Sequence, residues 1–194
     1  MAGKKSDYSK VKFGKIARRY FVLNGFDGIL TVLGISVGAF VAQVSDPGIL
    51  ISSGAGTAVG LMVSGFTGAY VTEKAERTGD LKELKKSMMS NMEGSIHETN
   101  VSKQSAFIAV VNGISPLLCA FLITVPYLFS HLGVIEMLNT AYFISMGVSA
   151  ILLVVFGSFL GNISKESKIM YSLKMLIAGL VTAFLSMLLG VAGI

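Results

Sequence analysis

Residues 20–44 read YFVLNGFDGILTVLGISVGAFVAQV, a run of 25 residues whose one charge is Asp27. An α-helix of about 20 apolar residues crosses a hydrocarbon core, so this run is long enough to span a membrane. It ends at Ser45-Asp46-Pro47, where Pro47 is suited to the first turn of a helix, and a second apolar run follows from Pro47 to Thr72. The two predict a tight helical hairpin. Three more runs of this kind follow, Ser105 to Phe129, Val134 to Ile163 and Ile169 to Ile194. The fold class expected is an all-α integral membrane protein of five transmembrane helices, because lipid offers no partner to an unpaired backbone group and an odd set of long apolar runs is no β-barrel. Composition agrees: 53% of the residues are hydrophobic, 14% are charged and the mean hydropathy is +0.71, far from a soluble domain.

Charge sets the expected orientation. Of the 16 Lys and Arg residues, seven precede the first span, six lie between the second and third, and three lie around the fourth-to-fifth connection. None falls in the first-to-second turn, the third-to-fourth loop or the C-terminal end. The positive-inside rule then predicts a cytosolic N-terminus and a non-cytosolic C-terminus. The net charge of +5 is an orientation signal on this reading, and no nucleic-acid partner is expected. The basic start of the chain runs into a full-length span, with no cleavable signal pattern, so the N-terminus is expected to be retained. The sequons at Asn100 and Asn162 fall on the cytosolic side and should stay unglycosylated. Cys119 is the single cysteine, which excludes an intrachain disulfide. The organisation expected is a basic cytosolic segment (1–19), two spans (20–72), a cytosolic amphipathic segment (73–103) and three spans (104–194).

Small residues recur every fourth position along the second span, Ser52, Gly56, Gly60, Ser64, Gly68 and Thr72, and again along the fifth, Ala178, Thr182, Ser186 and Gly190. Such stripes let helix backbones approach closely. Each suits either packing within the chain or the seam of a homodimer.

Asp27 is the acidic residue well inside a predicted span. Holding a carboxylate there costs roughly 2.5 to 3.5 kcal/mol, so it is expected to face a cavity, an ion or a partner. Asn24, Asp27 and Thr31 recur at helical spacing and present oxygen atoms on one face. The bland alternative is a carboxylate near the interface, hydrated or paired with Arg18 or Arg19. A second acidic group, Glu73 and Glu76 with Asp80 and Glu83, follows the second span, and reads equally as a solvated face with Lys and Arg counter-charges. Between Gly79 and Thr99 the apolar side Leu81, Leu84, Met88, Met92 and Ile96 suits docking to a membrane or a helix. Met89, Glu93 and His97, four apart, form a ridge of thioether, carboxylate and imidazole. That donor set suits a borderline transition metal such as Fe²⁺ better than Mg²⁺ or Ca²⁺. Met62, apolar but a soft ligand, lies deeper on the second span and suits either contact with iron or ordinary packing. Asn112, Ser115 and Met146 are weaker lining residues.

These residues resemble the vacuolar iron transporter family, membrane proteins that move Fe²⁺, and often Mn²⁺, out of the cytosol. Asn24-Gly-Phe-Asp27-Gly-Ile-Leu-Thr31-Val-Leu-Gly34 resembles its first-helix signature, with Phe26 where the family more often has Asn. Val63 to Glu73 resembles the end of its second helix, Ser115-Pro116 with Pro126-Tyr127 its third, and Leu180 to Gly190 its fifth. The resemblance implies that Asp27 is the pathway aspartate and that Met88-Met89 with Glu93 correspond to the last helix of a metal-binding domain. It departs at Ala69, where the family's Gly-Glu-Tyr would place a carboxylate, with Glu73 one turn later, and in a short cytosolic insert that fits a compact prokaryotic-type member.

The expected metal-handling set is Asp27, Met62, Glu73, Glu76, Met89, Glu93 and His97. The function expected is export of Fe²⁺, with Mn²⁺ as a further substrate, by exchange for protons. The alternatives are a transporter of another cation and a structural or assembly membrane protein. No nucleophile, catalytic triad or cofactor motif is read, so a non-enzyme without a resident cofactor is expected, its metal being cargo. The expected partners are a divalent metal ion, the lipid bilayer and a second copy of the chain. The membrane would be the cell membrane in a prokaryote and a vacuolar-type membrane in a eukaryote.

Overall fold

The structure is a computed structural model that describes the backbone of residues 2–88 and 96–192 and the side chains of 14–80, 82–83 and 104–191. Among the described residues it is all-helical: α1 (Ala2–Val41), α2 (Pro47–Met88), α3 (Ile96–His131), α4 (Leu138–Ser164) and α5 (Lys168–Ala192). All five are long and apolar enough to cross a membrane, over Gly14–Val41, Pro47–Asp80, Gln104–His131, Leu138–Ser164 and Lys168–Val191.

Helix ends follow local chemistry. Asp46 caps α2, its Oδ1 accepting from the Gly48 N–H at 2.7 Å, with Pro47 in the first turn. Ser167 Oγ likewise accepts from Met170 N–H at the start of α5. Three C-terminal ends close as Schellman turns. At α1, Gln43 is left-handed (φ 55°) and the Val44 N–H donates to Ala39 O at 3.0 Å. At α3, Gly133 (φ 75°) is followed by Val134 N–H to Phe129 O at 2.9 Å, and at α4 Lys165 (φ 57°) precedes Glu166 N–H to Gly161 O at 3.1 Å.

Several boundaries differ from the sequence reading, and α1 begins at Ala2 where the first span was expected from Tyr20. The fourth span begins at Leu138 instead of Val134, because Val134 and Ile135 donate back to Phe129 O and finish α3. The polar stretch after Thr72, read as a separate amphipathic segment (73–103), belongs in large part to the spanning helices: α2 runs unbroken to Met88 and α3 already begins at Ile96. Glu, Lys, Arg, Ala and Leu dominate this stretch of α2 and no proline interrupts it, so nothing stops the helix at the membrane surface.

The chain divides into two compact units, residues 1–24 with 62–115 and residues 25–61 with 116–194. The first has a core of Ala69, Ile108 and Ala109, packed against Ile16, Tyr20 and Tyr70. α2 and α3 meet backbone to backbone here: a Cβ on Gly113 would lie 2.8 Å from Met62 O, and one on Gly65 3.2 Å from Asn112 O. In the second unit Leu50, Tyr127, Ala141 and Tyr142 form a core, with the Tyr127 and Tyr142 rings edge to face at 5.4 Å. α4 and α5 touch so closely that a Cβ on Gly157 would lie 2.3 Å from Ser172 Cα, and one on Gly161 2.6 Å from Lys168 Cα. Ser172 Oγ donates across this seam to Val154 O at 3.0 Å. Small residues supply the contact that lipid cannot drive hydrophobically.

The two small-residue stripes have different fates. That of α5 packs within the second unit: Ser186 and Thr182 lie against Gly34, and Gly190 against Val41. That of α2 is uncovered, with Ser52, Gly56, Gly60, Ser64, Gly68 and Thr72 all exposed and nothing within 4 Å of a Cβ on Gly56, Gly60 or Gly68. The buried side of α2 is the opposite one, Leu50, Gly54 and Ala58 in one unit and Gly65, Ala69 and Glu73 in the other.

Candidate functional site

Asp27 sits in the second unit on the membrane-spanning part of α1, exposed between Leu23 and Thr31 on that side of the helix. Thr31 Oγ1 donates to the Asp27 backbone carbonyl at 2.7 Å and not to the carboxylate, whose residue is exposed. The Asp27 turn is fixed by Gly28, where a Cβ would come within 2.8 Å of Pro116 Cα. The cations nearest in sequence are engaged on their own helix, Arg18 Nε donating to Gly14 O at 3.1 Å and Arg19 lying over the Tyr20 ring. Asn24 is turned toward a different partner from the face expected of it. Its amide donates to Asn112 Oδ1, Asn112 Nδ2 donates to Gly65 O at 2.7 Å, and Ser115 Oγ donates to Phe21 O. This network ties α1, α2 and α3 together within the first unit, and Asn112 and Ser115 are buried in it.

Glu73 is a buried carboxylate of the first unit, 3% exposed. Its Oε2 lies 3.2 Å from Arg77 Nε, and Arg77 Nη1 in turn donates to Gln104 Oε1. The Tyr20 side chain is a further neighbour of this carboxylate. Arg77 thus compensates the buried charge directly and Gln104 from α3 holds Arg77 in place, as burial of a carboxylate requires. Glu76 is exposed on the same helix. Ala69, where the family resemblance leads one to look for a carboxylate, is a core residue against Ile108 and Ala109. A carboxylate there would have to displace that packing.

Met62 is half-buried and lines a cavity of about 280 Å³ with Val63, Phe66, Val110, Gly113 and Ile114. Met89 and Glu93 lie outside the described residues, as does the side chain of His97, whose backbone belongs to α3. Among the described residues no three His, Cys, Asp or Glu side chains cluster as a metal site would require. Sequence reasoning missed the Arg77–Gln104 clamp and the Asn24–Asn112 pair. The spacing of Glu73 and Arg77, four apart, carried a signal for the first; the other partners are 88 positions apart and carried none.

The profile of the VIT family matches residues 80–191, from the end of the second span to the fifth. An uncharacterized protein of Methanocaldococcus jannaschii is 27% identical over 175 residues, which cover 89% of this chain and 87% of that protein. That alignment reaches beyond the profile match, into the hairpin that carries Asp27. With five membrane-length helices and a match over more than half of its length, the chain belongs to the VIT family, a multi-pass membrane protein of the metal-ion transporter class.

Proposed function

We propose that the protein exports Fe²⁺, and Mn²⁺ as a further substrate, from the cytosol in exchange for protons, with its N-terminus cytosolic. The observation that carries this reading is Asp27, an exposed acidic residue on a membrane-spanning helix of a VIT-family chain. A carboxylate facing lipid alone is penalised by roughly 2.5 to 3.5 kcal/mol, and a pathway or a protein partner removes the penalty. Ionised, Asp27 holds a divalent cation; neutral, it holds a proton. That alternation is the minimum an exchanger needs.

A second copy of the chain supplies the cover for Asp27. The uncovered small-residue face of α2 supports this, since such a face is built for another helix and lipid gains nothing from it. On the cytosolic side Glu76, with Met89, Glu93 and His97, collects metal. Glu73 joins them when the metal replaces Arg77 as its counter-charge. Met62 offers a soft ligand from the wall of its cavity.

Transport of Fe²⁺ and Mn²⁺ into sealed proteoliposomes tests the proposal. Asp27→Asn keeps the shape and one oxygen but removes the charge and the titratable proton, so the folded variant should lose most metal transport. Asp27→Glu should retain part of it. Parental rates in well-folded Asp27→Asn protein would overturn the pathway.

A further inference from the structure

Among the described residues three cations lie over tyrosine rings, and the three pairs stand at the same kind of place. In the first unit Arg19 Cζ is 5.5 Å from the ring centroid of Tyr20 on α1, and Lys74 Nζ is 5.4 Å from that of Tyr70 on α2. In the second unit Lys174 Nζ is 5.1 Å from the ring centroid of Tyr171 on α5. Each pair lies toward the end of its span that the proposed orientation puts in the cytosol. Tyrosine is enriched where a span meets water, and basic side chains reach from there toward the headgroups.

The first unit concentrates this pattern. Tyr20 and Tyr70 pack against the one core of Ala69, Ile108 and Ala109, so Arg19 and Lys74 are brought to the same end of the unit from two helices. Lys15 precedes Arg18 by three positions and Arg19 by four, which puts the three on one side of α1. Lys15, Arg18, Arg19 and Lys74 are all exposed, and none has a carboxylate partner among the described residues; the ion pair at this end is Glu73 with Arg77. Their donors are largely unspent. Arg18 gives its Nε–H to Gly14 O at 3.1 Å and keeps both terminal nitrogens, and Lys74 spends one of its three N–H groups on the Tyr70 hydroxyl at 3.5 Å. Four cations at a boundary of water and lipid, with no counter-charge from the protein, fit an anion held at that level. The anion a bilayer presents there is the phosphodiester of an acidic phospholipid.

We propose that Lys15, Arg18, Arg19 and Lys74 form a rim that binds the headgroup of an anionic phospholipid of the cytosolic leaflet, and that the bound lipid eases metal entry at the acids beside it. The binding stands on the rim itself, whereas the effect on metal rests on the proposed role of Glu73 and Glu76. Lys74 adjoins Glu73 in the chain, and Glu73 lies one turn beyond Ala69 of the core that Tyr20 and Tyr70 share. A divalent cation approaching these acids meets the uncovered charge of the rim and is repelled. A headgroup phosphate on the rim cancels that charge within a Debye length, about 8 Å at physiological salt. Because all four side chains are exposed, the rim reads charge and not headgroup shape.

The test uses the full chain, delipidated in a nonionic detergent and titrated without metal against short-chain phosphatidylglycerol and phosphatidylcholine. One basic side chain near an anionic surface is worth about a fivefold gain in binding, so phosphatidylglycerol should bind about fivefold or more tightly than phosphatidylcholine, and less so as salt is raised. The variant Lys15→Gln, Arg18→Gln, Arg19→Gln and Lys74→Gln keeps Lys4, Lys5, Lys10 and Lys12, hence the orientation signal before α1, and should bind the two lipids alike. Lys15→Arg with Lys74→Arg should keep the preference. Equal binding by the parental protein, or a preference that survives in the Gln variant, overturns the rim; inorganic phosphate that competes as well as the lipid overturns its assignment to a headgroup. Should the Gln variant not fold, Lys15→Gln with Lys74→Gln is read by the same titration, a reduced preference supporting the rim and an unchanged one refuting it. Mn²⁺ uptake at subsaturating metal is then compared in vesicles of phosphatidylcholine alone and of phosphatidylcholine with phosphatidylglycerol. Anionic vesicles concentrate Mn²⁺ for every protein, so the variant sets the baseline: the parental protein should gain more from phosphatidylglycerol than the Gln variant does, and should be the slower of the two in phosphatidylcholine alone. Equal gains overturn the link to metal entry and leave the rim standing, and a parental protein that binds phosphatidylglycerol but moves no Mn²⁺ or Fe²⁺ overturns the transport reading instead.

Discussion

Arg77→Ala is the perturbation that most sharply separates a structural from a metal-binding role for Glu73. The substitution removes the counter-charge 3.2 Å from a carboxylate that is 3% exposed, together with the bond from Arg77 to Gln104. Breaking a fully buried pair from one side costs about 3–5 kcal/mol. Here the Arg77 side chain is 20% exposed, so water partly replaces it, and about 2–3 kcal/mol of destabilisation is expected. Removing both charges, in Arg77→Ala with Glu73→Gln, should cost less than Arg77→Ala alone, because the orphaned carboxylate is gone. Reversible unfolding in mixed micelles, followed by circular dichroism, measures all three proteins. Addition of Mn²⁺ gives the functional arm: a metal that binds Glu73 should restore part of the stability of Arg77→Ala and none in the double variant. Arg77→Ala with the parental unfolding free energy would refute the buried clamp, and a double variant no more stable than Arg77→Ala would refute the role given to the orphaned charge.

Gly157→Ala should cost about 2–4 kcal/mol, since the new Cβ would meet the Ser172 backbone at 2.3 Å and the seam must open, loosening the Ser172 to Val154 bond; parental stability would show that α4 and α5 are not so close. Gln43→Gly should stabilise by about 1 kcal/mol, because glycine is at ease in the left-handed conformation that Gln43 adopts at φ 55°, and a loss of stability on denaturation would contradict that turn. A reporter fused after Ile194 should be non-cytosolic and one inserted near Ser90 cytosolic; both on one side would remove a span from the topology.

The count of membrane-length helices was legible in the sequence for one reason: lipid cannot hydrogen-bond a backbone, so a largely apolar run of 25 residues such as 20–44 has little choice but to be a helix, whereas the polar extensions of α1, α2 and α3 beyond those runs were not. Asp46-Pro47 announced the start of α2 in the same local way. Asp27 was visible because a carboxylate is conspicuous in an apolar run, whatever lies around it. Which side of α2 faces inward was not legible. Gly54, Ala58, Gly65 and Ala69 on one side are as small as Gly56, Gly60, Ser64 and Gly68 on the other, and in a membrane both sides are apolar, so the pattern that reports burial in water loses its contrast. Tertiary structure alone chose the first side and left the second open. It also turned Glu73 from one acid in a charged run into a buried group held by Arg77, and it brought Asn24 against Asn112 from 88 positions away. Those are contacts between helices, and spacing along one helix carries no information about the neighbour across from it.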